Sequence, residues 1–89
     1  MLTESQFASR LAVEVARWQA DGRSARALAV EAGLDPALVH RIRYGQQPPS
    51  AMALTAIVNA LRCDRETVIE LFNLAGYALP EALVSGEAA

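Results

Sequence analysis

Residues 24–45 read SARALAVEAGLDPALVHRIRYG, and this stretch decides the fold. Ser24 has a side-chain oxygen suited to accept from a free N–H at a helix start. Leu28, Ala29 and Ala32 follow at helical spacing, and Gly33 stops the run. Asp35-Pro36 opens a second run, with aspartate at the cap and proline at the first helical position. Val39 and Ile42 face inward there, and Gly45 ends it. Two short helices therefore meet at a tight bend. The bend calls for glycine, because left-handed backbone costs a residue with a Cβ atom more. Small Ala29 lets the two helix backbones approach closely.

Working outward, the same kinds of signal recur. Thr3 and Gln6 form a capping box ahead of a stripe of Phe7, Leu11, Val15 and Trp18, which Asp21-Gly22 ends. Downstream, Gln46-Gln47-Pro48-Pro49 cannot continue a helix, since proline breaks the hydrogen-bond ladder. Ser50 caps a helix carrying Leu54, Ile57, Val58 and Leu61. Asp64 caps another with Val68, Leu71, Phe72 and Ala75, closed by Gly76. The pattern predicts an all-α domain over residues 1–77, with helices at about 3–20, 24–32, 36–44, 50–61 and 65–75. Residues 78–89 read as a tail. Pro80 can open one short helix near 80–85, and the end is expected to be disordered. No strand alternation and no repeat is visible.

Composition narrows the function classes. The 89 residues are 53% hydrophobic, much of it alanine, so the core rests on a few larger side chains. No apolar run is long enough to span a bilayer, and the N-terminus does not read as a secretory signal. A lone Cys63 fits a reducing cytoplasm, as a small half-buried hydrophobe at a helix end. One histidine, one cysteine and no acids at metal-ligand spacing argue against an enzyme, a metal site or a cofactor. No small-molecule ligand is evident. The net charge is −2, but it is segregated. Between Pro36 and Cys63 there is no acid, only Arg41, Arg43 and Arg62. From Asp64 onward Asp64, Glu66, Glu70, Glu81 and Glu87 face Arg65 alone. Every basic residue is arginine, which can fork onto phosphate or guanine.

Two helices joined by a short glycine turn make the DNA-binding helix-turn-helix arrangement. The run Leu28-Ala29, Gly33-Leu34, Val39, Ile42, Gly45 and Pro49, then Leu74-Ala75-Gly76-Tyr77, resembles the XRE/Cro-type helix-turn-helix family over Phe7 to Tyr77. The resemblance implies a compact five-helix, lambda-repressor-like DNA-binding domain. It also implies a sequence-specific transcription regulator with the third helix, Pro36–Tyr44, in the major groove of double-stranded DNA. A homodimer on a palindromic operator is the usual arrangement, here through helix five and tail residues Leu79, Leu83 and Val84.

On this reading Arg41, His40 and Ala37 are the candidate base readers. Arg41 either forks onto guanine or contacts phosphate, and Ala37 suits a thymine methyl group. Ser24, Arg26, Arg43, Tyr44, Gln46, Gln47 and Ser50 are the candidate backbone contacts. The sequence departs from the family at Ala25, where a phosphate-binding glutamine or threonine is common, and at Pro36-Ala37-Leu38, where polar base readers are common. Where the family often pairs an arginine with a glutamate, Trp18 and Arg43 stand instead. They suggest either a cation–π pair or a core tryptophan with Arg43 turned outward. The rival function is a protein-interaction module on the same scaffold, favoured by the acidic fifth helix, Ala25 and the apolar start of helix three.

Overall fold

The computed structural model describes residues 2–77, with side chains from Gln6 onward. Its five helices are α1 (Leu2–Ala20), α2 (Ala25–Ala32), α3 (Pro36–Arg43), α4 (Ala51–Leu61) and α5 (Arg65–Ala75). The all-α, five-helix architecture expected from the caps and turns is the one found. Because α1 already includes Leu2, Thr3 stands inside the helix and not at the cap position that the capping box required. The proposed helix near 80–85 and Leu79, Leu83 and Val84 lie outside the described residues.

One core joins all five helices. Phe7, Leu11, Val15 and Trp18 of α1 are buried, with Leu28 and Ala29 of α2 and Val39 and Ile42 of α3. Leu54, Ile57 and Val58 of α4, and Leu71 and Phe72 of α5, complete it. Their recurrence every three or four residues gives each helix one inward face. α1 packs chiefly on α5, and α2 on α4, while α3 lies against α1 and α2. Thus α3 sits at the edge of the bundle with its outer side open.

Four helix starts are capped by side chains. Ser24 Oγ accepts from Ala27 N–H at 3.0 Å, and Ser50 Oγ from Ala53 N–H at 3.0 Å. Asp35 Oδ1 accepts from Ala37 N–H at 2.8 Å, and Asp64 Oδ1 from Thr67 N–H at 2.9 Å. Such caps contribute about 1 kcal/mol each at the neutral serines. Ser24 and Ser50 thereby stand outside the helices the sequence reading began with them.

Helices α2 to α5 all close with the Schellman pattern of paired backbone bonds. After α2, Gly33 N–H reaches Val30 O and Leu34 N–H reaches Ala29 O, with Gly33 left-handed at φ 71°. After α4 the left-handed position is held by Arg62 at φ 56°, where glycine would be unstrained. Cys63 follows it, half-buried as expected, and burial pushes its thiol pKa up to about 11.

A charge network the sequence did not reveal clamps α1 to α5. Glu14 is buried yet doubly paired, to Arg10 at 2.7 Å and to Arg17 at 2.7 Å. Arg10 also donates to Glu70 at 2.8 Å and to the Thr67 hydroxyl at 3.3 Å. These bonds, first to Glu70 and then to Glu14, hold the Arg10 pKa above its ordinary value. A buried carboxylate is tolerated because its partners satisfy it.

Candidate nucleic-acid interface

The α3 surface follows from its two anchors. With Val39 and Ile42 buried, the helical period turns Ala37, His40 and Arg41 to solvent, and the C-cap Tyr44 with them. Leu38 is half-buried and packs against the core, so it offers less to a partner than its sequence position implied. Among the three candidate base readers, Ala37, His40 and Arg41 therefore share the open side of one helix.

Arg41 is held rather than loose. Its Nε–H donates to Gln47 Oε1 at 2.8 Å, across six residues of chain. The turn that makes this possible is built on Gly45, left-handed at φ 71°. A Cβ there would stand 3.5 Å from the Ala8 Cβ, so conformation rather than space makes the requirement. Gln46 and Gln47 N–H both donate to the Arg41 carbonyl, at 2.8 and 3.3 Å. Farther along, Pro49 is buried, and its carbonyl accepts from Tyr77 O–H at 2.6 Å. The loop is thus tied to α3 at one end and to the end of α5 at the other.

Beside Arg41 the aromatic groups stack. His40 and Tyr44 have ring centroids 4.7 Å apart, tilted by 56°. The Arg43 guanidinium lies over Tyr44, 4.9 Å from its centroid. Of the two alternatives for Trp18 and Arg43, the cation–π pair is not formed and the core tryptophan is found, Trp18 being buried while Arg43 turns to Tyr44. Arg23 occupies the indole face instead, 4.5 Å from the ring centroid. The reason is local: the Gly22 turn, left-handed at φ 85°, brings Arg23 back over the last turn of α1. Trp18 is meanwhile fixed in the core edge by its Nε1–H, which donates to the Ser24 carbonyl at 2.8 Å.

The helix starts near this surface differ in charge. The N-terminus of a helix carries partial positive charge, which favours anions. The α2 start is capped by Ser24 and the α4 start by Ser50, both exposed and neutral. Each hydroxyl still has a proton to donate after accepting the cap bond. At α3 the same position is filled by the Asp35 carboxylate. So α2 and α4 are open to a phosphate, whereas the tip of α3 is not. Arg26 is exposed on the first turn of α2, and Gln46 is exposed beyond α3. Gln47 differs from the expected free backbone contact, because its carbonyl oxygen is already engaged by Arg41. Its amide nitrogen remains for a second acceptor.

Among the described residues no group of three or more His, Cys, Asp or Glu could hold a metal ion, and no helix is long and apolar enough to cross a membrane. A family model described as a helix-turn-helix domain matches residues 5–71. No curated protein and no solved structure matches the chain.

Proposed function

The chain belongs to the helix-turn-helix domain family, in its XRE/Cro-like group, and from that premise we propose that it is a sequence-specific transcription regulator. The family points to DNA binding; the operator and the assembly on it are the further step. In this reading α3 lies in the major groove, with Arg41, His40 and Ala37 toward base edges. Ser24, Arg26, Arg43, Tyr44, Gln46, Gln47 and Ser50 flank it toward phosphates. The observation that carries the reading is the held Arg41, 2.8 Å from Gln47 on the open side of α3 with its terminal nitrogens free to fork.

Charge placement explains how a chain of net charge −2 can approach DNA. Phosphate attraction acts locally, within about one Debye length of roughly 10 Å at ordinary salt. The acids of α5, Glu66 and Glu70, sit on a different helix from the arginines of α3, and Glu70 is paired with Arg10. A homodimer on a palindromic operator would place two such heads one helical turn apart, about 34–36 Å. We place its interface at α5 and the tail beyond it, and its site of action in the cytoplasm, where the operator is.

Asp35 and the exposed apolar side chains Val30 and Met52 favour the second reading, a protein-interaction module. Fluorescence anisotropy of a labelled duplex separates the two. A DNA-binding domain gains affinity as salt falls, with a logarithmic slope that counts phosphate contacts. Asp35→Asn keeps a capping oxygen and removes the carboxylate, so affinity for duplex should rise severalfold. Absence of binding at about 50 mM salt would remove the DNA reading and leave the protein-interaction one.

A further inference from the structure

The reading head is a pair of side chains, not one. We propose that Gln47 is a positioning and specificity-determining residue, which selects the edge of Arg41 that is offered to a base. This rests on the DNA-binding function proposed above.

Gln47 is fixed from both sides before any partner arrives. Its amide oxygen accepts from Arg41 Nε–H at 2.8 Å, and its own N–H donates to the Arg41 carbonyl at 3.3 Å. Pro48 and Pro49 follow, with restricted backbone, and Tyr77 O–H pins the Pro49 carbonyl at 2.6 Å. A single side-chain bond between an exposed arginine and a half-buried glutamine would be weak. Here the side-chain bond closes a ring whose other half is main chain, so little freedom remains to be lost.

The chemistry then discriminates between two approaches. A guanidinium can fork onto guanine O6 and N7 with its two terminal nitrogens, or sideways with Nε and one terminal nitrogen. With Nε committed to Gln47, only the terminal pair is left. That fixes the guanidinium plane relative to α3, and with it the base pair it can meet. The amide nitrogen of Gln47 keeps two N–H groups for an adjacent acceptor. Gln46 makes the contrast. It is the neighbouring glutamine, equally polar and more exposed, but only its backbone touches Arg41.

The test uses the full chain with Gln47→Leu, Gln47→Glu, Gln46→Ala and Arg41→Ala, each checked for native helicity by circular dichroism. In the free protein, the Arg41 Nε–H proton should be visible by NMR and protected from solvent exchange. Gln47→Leu should abolish that protection and Gln46→Ala should not. On duplexes selected by the wild type, Gln47→Leu should lose about tenfold discrimination at one guanine position, matching Arg41→Ala there. Its binding to random duplex should fall only by the one phosphate contact that the Gln47 amide supplies, equally on every sequence, so the ratio of specific to random binding is the readout. Gln47→Glu keeps the acceptor but adds a negative charge, so it should retain the preference while weakening all binding. A loss of affinity in Gln47→Leu that leaves this ratio unchanged would overturn the inference, as would an unchanged Nε–H signal. Wild-type binding with a guanine preference indifferent to Gln47→Leu would sink this inference alone. No wild-type binding to any duplex at low salt would sink the DNA-binding reading itself, and this role of Gln47 with it.

Discussion

The ends of α2, α4 and α5 and the end of α3 use one backbone device for opposite purposes. All four close with the same pair of N–H bonds to the last turn. After α2, α4 and α5 the next residue is Leu34, Cys63 or Tyr77, and each packs back against the core. After α3 the corresponding residue is Gln46, exposed, followed by Gln47 on the Arg41 guanidinium. The hydrogen bonding is equivalent; the side chain that follows decides whether the turn seals the scaffold or presents a polar loop. Three instances of the motif thereby pack a side chain against the core, and the fourth leaves polar groups at the surface that the proposed function assigns to recognition.

Truncation at the sealing turns should be costly and at the presenting turn nearly silent. Leu34→Ala is expected to lower stability by about 2 kcal/mol, whereas Gln46→Ala should stay within about 0.5 kcal/mol. Urea denaturation of the two variants measures the difference directly. Equal losses would erase the contrast.

The scaffold side has a second, polar support. Glu14→Gln removes the buried carboxylate, which takes the ion-pair partner from Arg17 and leaves Arg10 with Glu70 alone. The expected loss is about 1.5–3 kcal/mol by the same denaturation, discounted toward the lower end because Arg17 is largely exposed. Little change would mean that Glu70 alone holds Arg10 in place.

Tyr77 is where the two kinds of turn meet, since it seals α5 and its hydroxyl holds the loop after α3. Tyr77→Phe should lower stability by about 1 kcal/mol. It should also weaken base preference, which no other sealing residue is expected to do. The smallest effect has the opposite sign. Arg62 holds a left-handed position at φ 56°, so Arg62→Gly should raise stability by about 0.5–1 kcal/mol. For a domain of this size, 1 kcal/mol is about 4–8 °C in Tm, within reach of calorimetry.

Most of the scaffold was legible because its signals are local. Ser24, Asp35, Ser50 and Asp64 are capping residues a few positions from what they cap, and Gly33 and Gly76 mark their turns without help from distant chain. The inward stripes were readable for the same reason. Contacts that needed the folded chain were not. Glu14 reads as a surface acid on α1 until Glu70 and Thr67 are brought beside Arg10. Family position left the partner of Trp18 open between Arg43 and the core, and nothing in the spacing pointed to Arg23, five residues along, which takes the ring. Arg62 gives no sign of its conformation, because it stands where glycine is the usual marker. At the interface, the helical period sufficed to put Ala37, His40 and Arg41 on one side. The Arg41–Gln47 bond depends on the exact course of the Gly45 turn, and no spacing rule specifies that.

The contrast between sealing and presenting turns matters only if α3 reads DNA. Selection from a random pool of duplexes by the full chain, at about 100 mM salt, tests this most directly, with Arg41→Ala selected in parallel. The expected result is an enriched motif containing a guanine position that disappears in the Arg41→Ala pool while the remainder of the motif persists. A wild-type pool that stays random, or a motif identical in both pools, would contradict it.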